Sequence, residues 1–125
     1  MKKSITFLCA LCKVPVTQKV TFTIKPPRIP KRIPESISYP PRGHYAIGNP
    51  RMYDKSDKNY TFNLKDLINI VQHPGRRAGC CGSDGCQGPN ILCTNRHEIG
   101  TEFSDCHHEY HFVEVNPDNV MIDEN

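Results

Sequence analysis

The chain contains no tryptophan, and only 8% of its 125 residues are aromatic. With 37% hydrophobic residues it can build one modest core, and its length fits a single domain over 1–125. No apolar run approaches the ~20 residues of a membrane-crossing helix, so neither a span nor a membrane partner is expected. The phosphate-cradling pattern G-x-x-x-x-G-K-[ST] is also missing. The richest glycine stretch, with Arg76 and Arg77 beside it, follows the predicted helix instead of leading into one, which argues against a nucleotide loop.

Positive charge is missing from the last part of the chain. Residues 1–96 hold all 16 Lys and Arg against Glu35, Asp54, Asp57, Asp66 and Asp84, a surplus of eleven. Residues 97–125 hold eight acids and no Lys or Arg, so the net +3 conceals a division. Either the two parts neutralise each other within one fold, or they form opposed surfaces, one of them a landing site for a partner.

Cysteine and proline are plentiful. Seven cysteines form an odd set that opens with Cys9-x2-Cys12, a pattern better suited to metal ligation in a reducing compartment than to a disulfide framework. The start imitates a signal peptide, but the apolar stretch Ile5–Cys12 is short, Lys13 follows at once and no A-x-A site appears. A cytoplasmic location is therefore expected, with the sequon at Asn59 incidental.

Between Val14 and Ile24 the apolar residues fall on even positions and Thr17, Thr21, Thr23 and Lys25 on odd ones, which predicts a strand or two strands joined near Gln18. Cys9 and Cys12 then lie at a zinc-ribbon-like knuckle just before it. Six prolines in residues 26–41 predict an extended strap, with Ile29, Ile33 and Ile37 as its anchors. Asn63 to His73 predicts the main helix: Asn63 as N-cap, Asp66 at N3, and Leu64, Leu67, Ile68 and Val71 on one face, ended by Pro74-Gly75. Residues 75–90 form a Gly/Cys-rich loop, read as a tight cap over the strands that follow. Ile91–Cys93, Glu98–Phe103, Tyr110–Val115 and Val120–Ile122 read as short strands. The expected fold is α+β: a small, mostly antiparallel sheet with one main helix.

Two thiolates three positions apart can share a tetrahedral Zn2+, and structural sites combine two such pairs. Cys93 and His97, spaced C-x3-H, are the nearest second pair, which predicts a site of Cys9, Cys12, Cys93 and His97. Alternatively, Cys9 and Cys12 are core thiols. A weaker second set comprises Cys80, Cys81, Cys106 and His111. On a regular strand Cys106 and His111 face opposite ways, so that set needs a bulge. His108-Glu109-Tyr110-His111 has one residue too few between its histidines for a metalloprotease motif.

Gly79-Cys80-Cys81-Gly82-x-Asp84-Gly85-x-x-Gly88-Pro89-Asn90-x-x-Cys93, then Glu98-x-x-Thr101, then Asp105-Cys106-x4-His111, resembles a pattern of small uncharacterised bacterial proteins. The resemblance covers roughly residues 75–118. That pattern places another cysteine two positions after the one matching Cys93, where this chain has Asn95. The fourth ligand then either passes to His97 or is lost. The resemblance implies no activity.

Three functions follow. The first is a non-catalytic, zinc-stabilised module that binds another protein: an immunity or antitoxin type, or a regulatory adaptor, whose acidic residues 98–125 face a basic toxin or enzyme. The second is a nucleic-acid-binding zinc-ribbon protein, using Lys25, Arg28, Lys31, Arg32, Arg42, Arg51, Arg76 and Arg77 with Tyr39, Tyr45, Tyr53 and Tyr60 as stacking groups. The third is a small metal-dependent hydrolase with Glu98 or Glu109 as base, which requires an open coordination position.

Overall fold

Alternation builds the first strand: in β1 (Ser4–Cys9) the side chains of Ile5, Phe7 and Cys9 are buried while those between them are not. The computed structural model describes residues 3–23, 37–48, 57–76, 82–83, 85–105 and 110–124. Nine further strands follow: β2 (Val20–Phe22), β3 (Ile37–Ser38), β4 (His44–Ile47), β5 (Tyr60–Phe62), β6 (Ile70–Gln72), β7 (Ile91–Cys93), β8 (Glu98–Phe103), β9 (Tyr110–Val115) and β10 (Val120–Asp123). They form one sheet in the order β10-β1-β2-β4-β5-β9-β8-β7-β6, with β3 joined to β9 off this path. Pairing is antiparallel except at β2–β4 and β3–β9.

The sheet curls. Val16 N–H donates to the Phe7 carbonyl at 2.9 Å, and Ile68 N–H donates to the Val16 carbonyl at 2.9 Å. Residues 15–18 thus tie β1 to the chain entering β6, drawing the far side of the strand order toward the near side. The main core lies inside this curl, from Ile5, Phe7 and Val20 to Ile91, Ile99, Val113 and Val115. Phe7 is its centre, with its ring 4.8–5.1 Å from those of Tyr45, Tyr60 and Phe62 in edge-on packing. A smaller cluster joins Tyr39, Ala46, Tyr110 and Phe112.

The α+β expectation is overturned: 47% of the described residues are strand and 7% helical, with no helix of seven residues or more. The predicted helix over 63–73 is a single 3-10 turn at Leu64–Asp66 followed by β6. Asn63 does cap that turn, its Oδ1 accepting from Lys65 N–H at 2.9 Å. The helical face does not form: Leu64 and Val71 are exposed while Leu67 is buried and bridges to Thr17. An isolated helix of this length is marginal. Here neighbouring chain offers better partners: Gln18 N–H donates to the Asp66 carbonyl at 2.9 Å, and β6 pairs with β7. Asn69, at φ 51°, turns the chain between the two. Asp66, nearly inaccessible, accepts from Gly43 N–H and Arg42 Nε, both at 2.7 Å, and so locks the turn to the start of β4.

The other elements lie closer to expectation. Val16 and Val20 are buried as the even-position pattern requires, but only 20–22 is strand, and Thr17 is buried too, its Oγ1 accepting from Phe7 N–H at 3.0 Å. Residues 24–36, most of the proline-rich strap, lie outside the described residues. Within the Gly/Cys-rich loop, Gly82 and Gly85 press on the end of β8. A Cβ at Gly82 would meet the Ser104 carbonyl at 2.6 Å, and one at Gly85 (φ +78°) would meet the Phe103 ring at 2.3 Å. Among the described residues no helix is long and apolar enough to cross a membrane.

Because Phe7 is fully buried among three aromatic rings and the aliphatic core, Phe7→Ala is expected to destabilise the chain by about 3–5 kcal/mol. Urea unfolding followed by circular dichroism measures the loss.

Candidate metal centre

Two turns at one border of the core bring four donors together. The first, residues 10–13, follows β1: Lys13 N–H donates back to the Cys9 carbonyl at 2.8 Å, and Cys9 N–H to the Val14 carbonyl at 2.8 Å. The second, residues 94–97, joins β7 to β8: Arg96 N–H donates to the Cys93 carbonyl at 2.8 Å, and Cys93 N–H to the His97 carbonyl at 2.9 Å. Each turn is completed by one residue in the left-handed region, Lys13 at φ 63° and Arg96 at φ 66°. Neither is glycine, so both conformations are held against a steric preference.

Cys9, Cys12, Cys93 and His97 present ligand atoms that all lie within 4.8 Å of one another. Cys12 Sγ is 3.8 Å from Cys93 Sγ, and His97 Nδ1 is 3.5 Å from both Cys9 Sγ and Cys93 Sγ. The edges of a tetrahedron with ~2.3 Å metal–sulfur and ~2.05 Å metal–nitrogen bonds are about 3.8 Å between sulfurs and about 3.5 Å from sulfur to nitrogen. The three distances therefore fit a single ion at the centre. They do not fit a disulfide, whose sulfurs are ~2.05 Å apart. Cys9 and Cys93 are buried and Cys12 and His97 half-buried, so the cluster sits between core and solvent. These four residues form a Cys3His cluster that could bind a metal ion.

Local polarity favours an anion at Cys12. Its thiol is lowered from the usual 9.0 to about 6, chiefly by a hydrogen bond with the Asn95 side chain and then by the Val14 backbone, with burial opposing. Cys93 moves the other way, raised mainly by burial. Asn95 was legible in the sequence only as the place where a cysteine of the bacterial pattern is absent. Here it supports Cys12 from beside the site, and His97 stands among the four donors.

The second set is not brought together by the described residues. Cys80, Cys81 and Cys106 lie outside them. His111, on β9, is described: its Nε2 lies 3.0 Å from the Asp105 carbonyl, which can only accept, so that nitrogen carries the proton. Of the candidate hydrolytic bases, Glu98 is bound to Arg76 Nη1 at 2.7 Å and Glu109 lies outside the described residues.

Two outcomes are expected. In reduced, metal-free protein, iodoacetamide should modify Cys12 with a midpoint near pH 6, whereas Cys93, buried and raised, should react only above its ordinary 9.0; peptide mass mapping across pH separates them. Lys13→Gly should stabilise the chain by up to about 1.5 kcal/mol, since glycine removes a ~1–2 kcal/mol left-handed penalty while losing ~0.5–1 kcal/mol of extra chain freedom, and thermal unfolding reads the difference.

Comparison with family models, curated proteins and solved structures finds no match to this chain, so its functional reading rests on the geometry of these four donors.

Proposed function

We propose that the chain is a zinc-stapled, non-catalytic module that binds another protein. One observation carries the zinc: among three sulfurs and one imidazole nitrogen, all within 4.8 Å of one another, three of the six separations stand at the edge lengths of a tetrahedron. A donor set rich in thiolate selects zinc over the hard cations, which prefer oxygen. Four protein donors also fill a tetrahedral shell, whereas catalytic zinc keeps a position for water. The ion then acts as a staple between turns 81–88 residues apart in sequence.

The binding reading rests on charge and surface. The acidic residues near the C-terminal end, including Glu114, Asp118, Asp123 and Glu124, lie on or beside β9 and β10, and their sign suits a basic partner such as a toxin or nucleic-acid enzyme kept inactive by a protein inhibitor. The nucleic-acid reading fares less well. Arg42 is paired with Asp66 and Arg76 with Glu98, while Tyr39 is buried and Tyr45 and Tyr60 pack on Phe7. Lys25, Arg28, Lys31, Arg32, Arg51, Arg77 and Tyr53 lie outside the described residues.

Metal analysis of protein purified without added metal should return one zinc per chain. Cys9→Ser and Cys93→Ser should each abolish retention and lower Tm, as should a strong chelator acting on the unaltered protein. Stoichiometric zinc surviving in both variants, or a Tm indifferent to the chelator, would overturn the assignment.

A further inference from the structure

β10 closes one end of the strand order and, among the described residues, pairs only with β1. Its register is unbroken from Val120 to Asp123, so the opposite edge runs straight. Met121 is 39% and Ile122 43% exposed. Successive residues of a strand point to opposite faces, so this edge carries accessible apolar surface on both sides. Free edges are ordinarily blunted by lysine, proline or a bulge, and β10 has none of these. Leu11, 75% exposed, stands one residue beyond Ala10, whose N–H donates to the Asn119 carbonyl at 3.0 Å just ahead of the strand.

Charge decides the occupant. Asp118 precedes β10, Asp123 ends it and Glu124 follows, with Lys3 bound to Glu124 at 3.1 Å. Antiparallel pairing of two copies centred on Met121 would set Asp118 of one opposite Glu124 of the other, which like charge disfavours. A cationic strand meets no such repulsion.

Resting on the protein-binding reading above, we propose that the free edge of β10 receives an extended cationic segment of another protein. That segment adds as a further strand, with apolar side chains alternating with Lys or Arg. The outward backbone groups of β10 supply the hydrogen bonds, Met121 and Ile122 supply apolar contact, and the acids flanking them select the sign of the incoming strand.

The test titrates the protein at low salt with a fluorescein-labelled decapeptide of alternating Val and Lys, against a Val–Glu peptide of equal length. The Val–Lys peptide should bind saturably, weaken as salt is added, and slow hydrogen exchange at the β10 amides that face away from β1. Affinity should fall by about tenfold or more in the double variant M121K/I122K, and by less in M121T/I122T, which keeps strand-favouring residues and guards against failure to fold. Val71→Lys, on the other sheet edge at β6, should leave binding unchanged. Absence of saturable binding, equal affinity for the Val–Glu peptide, retention in both double variants, or loss through Val71→Lys would each overturn the proposal. So would a concentration-dependent dimer abolished by M121K/I122K, which would make a second copy the occupant. Metal analysis of the same samples judges the zinc reading separately.

Discussion

Convergence of Cys9, Cys12, Cys93 and His97 is the constraint on which the rest of the chain turns. Apolar burial alone does not explain it, because thiols in a core pack against carbon as readily as against sulfur. A shared cation, as proposed above, would explain both the spacing and the turns that achieve it. Lys13 and Arg96 each take a left-handed conformation that side chains avoid, and each does so within a turn that aims two ligands at one point. Steric penalty repeated in two unrelated stretches is the kind of local cost that gathers where a site is being shaped. The core reaches up to this point, with Cys9 and Cys93 among its buried members and Cys12 packed against it.

The division of charge along the chain resolves into something more mixed in three dimensions. Antiparallel pairing sets β10 beside β1, and Lys3 meets Glu124. Arg76, at the start of the glycine-rich loop, reaches Glu98 at the start of β8 and also donates to the Pro89 carbonyl at 2.9 Å. Glu102 is buried yet satisfied, accepting from Gln72 Nε2 at 3.1 Å and from the Ser104 hydroxyl. Cationic and acidic portions are therefore partly interleaved by the fold.

How much of this could be read beforehand differs by element. The four donors were legible because ligand spacing is a local property: C-x2-C and C-x3-H each fit one turn, and a tetrahedral ion needs two such turns. The late strands were legible because β-branched and aromatic residues cluster between turn residues there. The helix over 63–73 was misread because Leu64, Leu67, Ile68 and Val71 satisfy a helical period while local sequence holds no record of the partners on either side, residues 16–18 and β7. Two-residue alternation failed for Thr17 on similar grounds: a hydroxyl placed on the wet face instead serves the Phe7 amide inside. Tertiary hydrogen bonds set both outcomes, and they are invisible to periodicity. Asn95 carries no ligand-spacing signal of its own, yet its side chain lies against Cys12 beside the cluster.

The distance between the two halves of the cluster along the chain has a bearing on biogenesis. Cys12 precedes Cys93 by 81 residues, and β10, the late neighbour of β1, lies later still. At ribosomal speeds of about 5–20 residues per second, the early thiols wait several seconds before their counterparts are translated. Throughout that interval the nascent polypeptide carries two of the cluster's three thiols without their counterparts and a first strand that can pair on its β2 side alone, leaving sulfur open to oxidants and a strand edge open to other chains.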